Sequence, residues 1–272
     1  MSTITSTYEL QNGVKIPKVG FGTWQVPASD AEEAVGNALK IGYRHIDTAL
    51  AYENEFEVGT AIKESGIDRK DIFVTTKLPA ETKTHDGALN DFKTSLENLG
   101  LDYVDLYLIH APTPWGEQDA NFDHENREVW KAMEEIYKSG KAKAIGVSNF
   151  GVHDLQNIMG KESTVKPMVN QIRYFIGNTE NDITKFSKDN DLLVEAYSPL
   201  ATGKILGEDK LETMAKKYNV TTAQLAIKFC LQNGVLPLPK AVHEAHAKNN
   251  ADLDNFTIDD ADMKDLNSIK NY

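Results

Sequence analysis

Apolar residues along this chain fall into short continuous runs, and between the runs they recur once per helical turn. The runs lie near residues 19–24, 43–47, 72–77, 104–109, 143–147, 167–171, 192–196 and 235–238, and read as strands. Helical periodicity lies near 30–41, 55–65, 86–99, 125–139, 152–159, 180–190, 222–232 and 243–252. Short strands alternating with helices predict an α/β protein of the (β/α)8 TIM-barrel class. Two segments stand outside the alternation: an extra helix over 209–219, and a C-terminal helix over 259–270 opened by Asp259-Asp260. Asn12-Gly13, between Tyr8-Glu9-Leu10 and Val14-Lys15-Ile16, predicts an N-terminal β-hairpin, since both turn residues tolerate positive φ. A doubly wound sheet fits less well. Gly20-Phe21-Gly22-Thr23-Trp24-Gln25 lacks the third glycine of the dinucleotide loop. No Pro/Gly/Ser linker, repeat or low-complexity tract divides residues 1–272, so a single domain is expected.

The 272 residues are 40% hydrophobic and 26% charged, with a formal charge of −12 from 29 basic and 41 acidic side chains. That balance argues against nonspecific affinity for nucleic acid or an anionic membrane. It leaves room for an anionic cofactor held by a local cluster of donors. The single cysteine, Cys230, allows no intrachain disulfide and sits in a helical stretch, Ala223 to Leu231, whose apolar face predicts a packed core thiol. Met1 to Leu10 is polar and lacks a secretory apolar segment, and no apolar run approaches the roughly 20 residues of a membrane span. A cytoplasmic location is expected.

Chemistry enters at the ends of three successive runs. Asp47 ends the first and Tyr52 follows it, Lys77 ends the second and His110 directly follows the third. In a parallel barrel these positions share one rim, which brings together an acid, a phenol, an amine and an imidazole. Lowering a tyrosine from about 10 to about 7 needs roughly 4 kcal/mol, and an ammonium about 4 Å away at an effective dielectric of 20 supplies that order. Lys77 is therefore expected to tune Tyr52 nearly alone, with Asp47 keeping the lysine charged and His110 orienting a carbonyl. Each residue also has an ordinary reading: a loop cap for Asp47, a solvated strand end for Lys77, a half-buried loop aromatic for Tyr52, a satisfied core histidine for His110. A Schiff-base lyase with Lys77 as nucleophile is a further alternative, which the Asp47 partner disfavours.

Over nearly its whole length the chain resembles the aldo-keto reductase superfamily, nearest its microbial members that include 2,5-diketo-gluconate reductases. The first signature is met by Gly42-Tyr43-Arg44-His45-Ile46-Asp47-Thr48-Ala49 with Tyr52-Glu53-Asn54-Glu55 and Val58-Gly59. Met133 followed by Lys143-Ala144-Ile145-Gly146-Val147-Ser148-Asn149-Phe150 meets the second, and Asn170-Gln171 and Ala196-Tyr197-Ser198-Pro199-Leu200 fall where further motifs belong. The resemblance implies a metal-free, NADPH-dependent reductase of small carbonyl compounds and a monomer. It implies Tyr52 as general acid, tuned by Lys77 and Asp47, with His110 orienting the substrate. Ser148, Asn149 and Gln171 would hold the nicotinamide carboxamide and Tyr197 would stack on the ring. Ser198 and Leu200 would offer donors to the pyrophosphate, with Gly203 supplying flexibility. The bland alternative for Ser148-Asn149 is a cap for the helix at 152–159. A cofactor-binding regulatory subunit without activity is the alternative for the whole chain, disfavoured by the complete tetrad.

The third signature breaks. Where the family has Pro-Lys-Ser and an Arg six residues beyond the Lys, this chain has Pro239-Lys240-Ala241 and His246. Arginine offers phosphate a permanent charge in a bidentate fork, which histidine does not. NADPH is expected to bind through Lys240, with NADH also accepted. Asn249 and Asn250 sit where adenine contacts are expected. His243 and His246 are one helical turn apart, but without a third ligand they predict no metal site. On the substrate side Trp24 and Trp115 are expected at the mouth, and Ala111, where the family often has Trp, is expected to widen it. The short tail ending at Tyr272 leaves little to close over substrate, so a broad range of aldehydes, α-dicarbonyls and keto-sugars is expected.

Overall fold

The computed structural model describes residues 2–270, so the chain end at Tyr272 lies outside them. An antiparallel hairpin, β1 (Thr7–Glu9) and β2 (Lys15–Pro17), precedes eight strands: β3 (Phe21–Gly22), β4 (His45–Asp47), β5 (Phe73–Leu78), β6 (Val104–Ile109), β7 (Ala142–Ser148), β8 (Val169–Arg173), β9 (Leu193–Tyr197) and β10 (Leu236–Leu238). All neighbours from β3 to β10 pair in parallel and in sequence order. Backbone bonds from Gly20 N to the Pro237 carbonyl and from Gly22 N to the Pro239 carbonyl, both 3.1 Å, bring the first and last strands together. Gly20 leaves room there for two side chains. A Cβ on it would lie 2.4 Å from Leu238 Cδ2 and 2.7 Å from His45 Nδ1.

The helices between strands are α1 (Ala28–Ile41), α2 (Glu55–Glu64), α3 (His85–Leu99), α4 (Asp123–Lys138), α5 (Val152–Ile158), α6 (Asn181–Asp189) and α8 (Thr222–Gln232). α9 (Glu244–Ala251) follows β10, while α7 (Asp209–Lys217) and α10 (Asp260–Ser268) are the two additions foreseen outside the alternation. The Asp259 side chain accepts from Asp262 N at 2.8 Å, which starts α10 where the acidic pair predicted. The (β/α)8 reading of the sequence therefore holds. The hairpin holds in pairing but not in turn chemistry. Leu10 N bonds the Val14 carbonyl across a three-residue loop, and only Gly13 takes positive φ (85°). The Asn12 amide instead donates to the Lys143 carbonyl at 3.0 Å, pinning the hairpin to the barrel.

Alternation along each strand decides what faces the barrel interior. On β6, Leu106 and Leu108 point inward to a cluster with Phe73, Ala144, Val169, Leu236 and Leu238, while Tyr107 and Ile109 point outward against the helices. Leu10 and Ile16 of the hairpin join the inner cluster and close its floor. Above that apolar layer the inward positions change character to Asp47, Lys77, Gln171 and Glu195, each at most 4% exposed. Cys230 is fully buried in the outer core between α8 and the sheet, and burial pushes its thiol well above the ordinary range.

Candidate active site

Lys77 is the centre of this layer. Its side chain is 0% exposed, and Nζ donates to Asp47 Oδ1 at 2.6 Å, to the Thr48 carbonyl at 2.9 Å and to Tyr52 Oη at 3.3 Å. Neighbouring strands β4 and β5 supply the acid and the amine. Tyr52 ends a 3-10 turn, Leu50–Tyr52, that the next residue reverses by taking left-handed φ at Glu53 (56°). The loop carrying it is anchored by Asn54, whose amide donates to the Thr23 and Val26 carbonyls and whose oxygen accepts from Thr48 Oγ1. Burial works against the Lys77 charge, but Asp47 and Tyr52 carry its pKa above the ordinary lysine value. An amine held protonated is a poor nucleophile, which counts against the Schiff-base alternative.

The expected tuning of Tyr52 needs correction. Burial raises the phenol above its ordinary value; Lys77 pulls it down, and Asp47 pushes it up again. The ammonium is already paired, so the carboxylate cancels part of its field at the phenol. Tyr52 therefore keeps its phenolic proton beside the Lys77 ammonium, rather than being brought close to neutrality by Lys77 alone.

His110 lies beside it, its ring edge-on to Tyr52 at 5.5 Å and to Trp115 at 5.6 Å. Burial, and then the Lys77 charge, push the imidazole down to about 3, so it is neutral in the physiological range. Nδ1 is buried without a partner, unlike a satisfied core histidine. Ala111 departs from expectation: it is 2% exposed, does not line the cleft, and its carbonyl accepts from Lys83 Nζ at 3.0 Å. Adjacent side chains on extended backbone point to opposite faces, so with His110 facing the cleft its neighbour turns away.

Across the barrel Asn149 takes left-handed φ (60°) at the end of β7, a conformation asparagine tolerates. Its amide donates to the His110 carbonyl at 2.9 Å, and its oxygen accepts from Tyr197 Oη at 2.7 Å. Ser148 Oγ donates to the Gln171 carbonyl at 2.9 Å. The cap reading for Ser148-Asn149 fails, since α5 begins after Gly151, whose N–H bonds Asp154 Oδ2. Gln171 Nε2 donates to Asp47 Oδ2 and to Glu195 Oε2, both at 2.8 Å. Glu195 was not among the residues singled out from the sequence, although a carboxyl amid the apolar run Leu193-Val194-Glu195-Ala196 was a legible signal. His45 was missed too. It is fully buried one layer below Asp47, with Nε2 2.9 Å from Thr75 Oγ1 and burial pushing it down to about 3.

A cleft of about 1280 Å³ opens over this layer. Trp24, Asp47, Tyr52, His110, Trp115, Ser148, Asn149, Gln171 and Tyr197 line it, and it continues past Ser198, Leu200 and Gly203 to Lys240, His246, Asn249 and Asn250. Trp24 and Trp115 are 44% and 52% exposed at its wall. The segment from Ser198 to Gly203 is held in left-handed backbone at Ser198, Ala201, Thr202 and Gly203, a strained conformation for the three residues with side chains. Lys240 and His246 are exposed, Ala241 is buried, and Asn249 donates to Thr221 Oγ1 at 2.9 Å. The cleft also touches Arg173, Lys216 and Thr221, which the sequence did not single out.

Fold and rim together define an α/β-barrel protein with a buried acid, amine and phenol clustered at the C-terminal end of its strands. The chain belongs to the aldo/keto reductase family, whose family model matches residues 18–271. Glyoxal reductase of Bacillus subtilis (strain 168) is 39% identical over 269 residues, spanning 98% of this chain and 94% of that protein. Glycerol 2-dehydrogenase (NADP(+)) of Saccharomyces cerevisiae is 38% identical, with 97% and 91% covered. The crystal structure of an aldo/keto reductase from Brucella melitensis superposes with a TM-score of 0.90 at 40% identity, covering 96% of this chain and 98% of that one.

Proposed function

We propose that this chain, as one barrel domain, reduces aldehydes, ketones and α-dicarbonyls to alcohols with NAD(P)H, Tyr52 being the proton donor. The observation that carries the reading is the fully buried Lys77 ammonium between Asp47 Oδ1 and Tyr52 Oη. A nicotinamide cofactor in the cleft supplies the hydride that goes to the carbonyl carbon. The cleft suits such a group. It exceeds the roughly 300–1,000 Å³ of ordinary ligand pockets, and it joins a cluster of amides and hydroxyls to an exposed lysine and histidine.

Tyr52 Oη gives its proton to the carbonyl oxygen as charge develops there, and Lys77 Nζ stabilises the phenolate left behind. Asp47 keeps Lys77 protonated and in place. The neutral His110 ring hydrogen-bonds the carbonyl oxygen and orients it without competing as an acid. Ser148, Asn149 and Gln171 would hold the carboxamide end of the cofactor, and Tyr197, fixed through its hydroxyl to Asn149, would offer a flat surface to the ring. Ser198 and Leu200 would hold the pyrophosphate, Lys240 and His246 would bind a 2′-phosphate, and Asn249 and Asn250 would contact the adenine. With Ala241 and His246 in place of a hydroxyl and a guanidinium, NADH is accepted beside NADPH. Trp24 and Trp115 form an apolar wall for varied carbonyl substrates.

The test follows reduced-nicotinamide absorbance with methylglyoxal, an aromatic aldehyde and a keto-sugar, using each cofactor. Wild-type protein oxidises the cofactor in a substrate-dependent way, and Tyr52→Phe abolishes this while cofactor binding, read by tryptophan fluorescence, persists. No turnover with any of the three, despite cofactor binding, points instead to a regulatory role. Activity on a single compound would contradict the broad specificity.

A further inference from the structure

Two buried carboxyl groups share one amide inside the barrel, and the Lys77 ammonium is bonded to only one of them. Gln171 Nε2 donates to Asp47 Oδ2 and Glu195 Oε2 at 2.8 Å each, so both acids sit within a hydrogen-bond length of the same nitrogen. Lys77 is bonded to Asp47 at 2.6 Å. Glu195 is 0% exposed, and its Oε1 has no hydrogen-bond partner. The charged groups facing it are Asp47 from β4 and Lys77 from β5. Its register partners are Gln171 on β8 and Leu236 on β10, which carry no charge. His45, lower on β4, is neutral. A second negative charge here has no cation of its own and stands against an existing carboxylate, an arrangement that drives one of two neighbouring acids to keep its proton.

We propose that Glu195 is a positioning residue that holds a proton at neutral pH, acting through Gln171 and Asp47 on the Lys77–Tyr52 pair, and that its ionisation sets the alkaline limit of proton donation. As a neutral acid it accepts the Gln171 amide on Oε2 and carries its proton on the free Oε1. Gln171 is thereby fixed in the orientation that also holds Asp47. Ionised, Glu195 adds negative potential to the layer, which makes the Tyr52 proton harder to release. Burial first, and then Asp47, raise the Glu195 carboxyl to about 8, which puts the transition in an accessible range. The kinetic part of the inference rests on the reductase reading above; the protonation of Glu195 does not.

Infrared titration of the full chain, with Glu195→Gln as the reference, reads the protonated carboxyl group directly. The wild type is expected to show a carboxylic-acid band at pH 7 that disappears with a midpoint near 8 and is missing from Glu195→Gln. In steady-state assays, wild-type kcat/KM for carbonyl reduction falls roughly tenfold per pH unit above that midpoint. Glu195→Ala lowers kcat at pH 7, and Glu195→Gln restores it and removes the fall. A spectrum with no band that Glu195→Gln deletes, or the same alkaline fall in both proteins, overturns the proposal. If Glu195→Ala does not fold, the infrared comparison and the Glu195→Gln profile still decide. A band as expected in a protein with no carbonyl reduction retains the protonated acid and removes the reductase reading.

Discussion

Lys77 Nζ stands 3.3 Å from Tyr52 Oη, with no part of the lysine side chain open to solvent. An ammonium so placed acts on the phenol through a low-dielectric medium, where removing it is felt by both stability and chemistry.

Lys77→Met tests that relationship. It leaves Asp47 buried opposite an apolar side chain and is expected to destabilise the fold by about 3–5 kcal/mol. It also removes the group that stabilises phenolate, so kcat for carbonyl reduction should drop about 10²–10³-fold. Urea unfolding and steady-state kinetics on the same preparation give both numbers; an unchanged kcat would remove Lys77 from the mechanism.

Two histidines make the fold acid-sensitive. His45 and His110 are pushed from an ordinary 6.5 down to about 3. Below pH 6.5 the unfolded chain binds these protons and the folded chain does not, so their contribution to stability is complete above 6.5 and is lost as pH falls towards 3. By pH 4.5 each costs about 3 kcal/mol. His45→Gln should flatten the fall in unfolding free energy between pH 6.5 and 4.5 by one proton. Identical slopes in mutant and wild type would contradict the buried neutral state.

Ala241 and His246 are expected to limit the preference for NADPH. The ratio of kcat/KM values for NADPH over NADH should lie below about 10³ in the wild type, and Ala241→Ser with His246→Arg should raise it at least about tenfold. A wild-type ratio above that bound, or a double variant that leaves it unmoved, would show that other groups read the phosphate.

Ile16, fully buried in the floor of the barrel, belongs to the opposite end from the rim. Ile16→Ala should cost about 2–5 kcal/mol of stability through the cavity it leaves. With the rim untouched, kcat at a temperature well below the transition should stay close to wild type. A large kcat loss without a stability loss would show that the hairpin does more than close the floor.

Much of this molecule is legible along the chain. The β5 run Phe73 to Leu78 and the β6 run Val104 to Ile109 were bounded within a residue, because apolar runs and helical periods follow from which faces must be buried. Asp47, Lys77 and His110 were legible because each ends, or directly follows, an apolar strand, where parallel strands put their chemistry. The hairpin turn was misjudged because Asn12 spends its side chain on the Lys143 carbonyl, a contact 131 residues away. Ala111 was misjudged because its facing depends on strand alternation past the end of β6.

What the sequence alone determined was the period of each segment, and with it the barrel and the order in which polar residues reach its rim. Only the tertiary structure decided how those residues act on one another. Gln171 and Asp47 are 124 residues apart in the chain and 2.8 Å apart across the barrel, and Glu195 joins them there. Burial is likewise a property of the closed barrel. It makes His110 neutral, keeps Tyr52 protonated and leaves Glu195 without a cation, because the free energy of a charge depends on its surroundings and not on its place in the sequence.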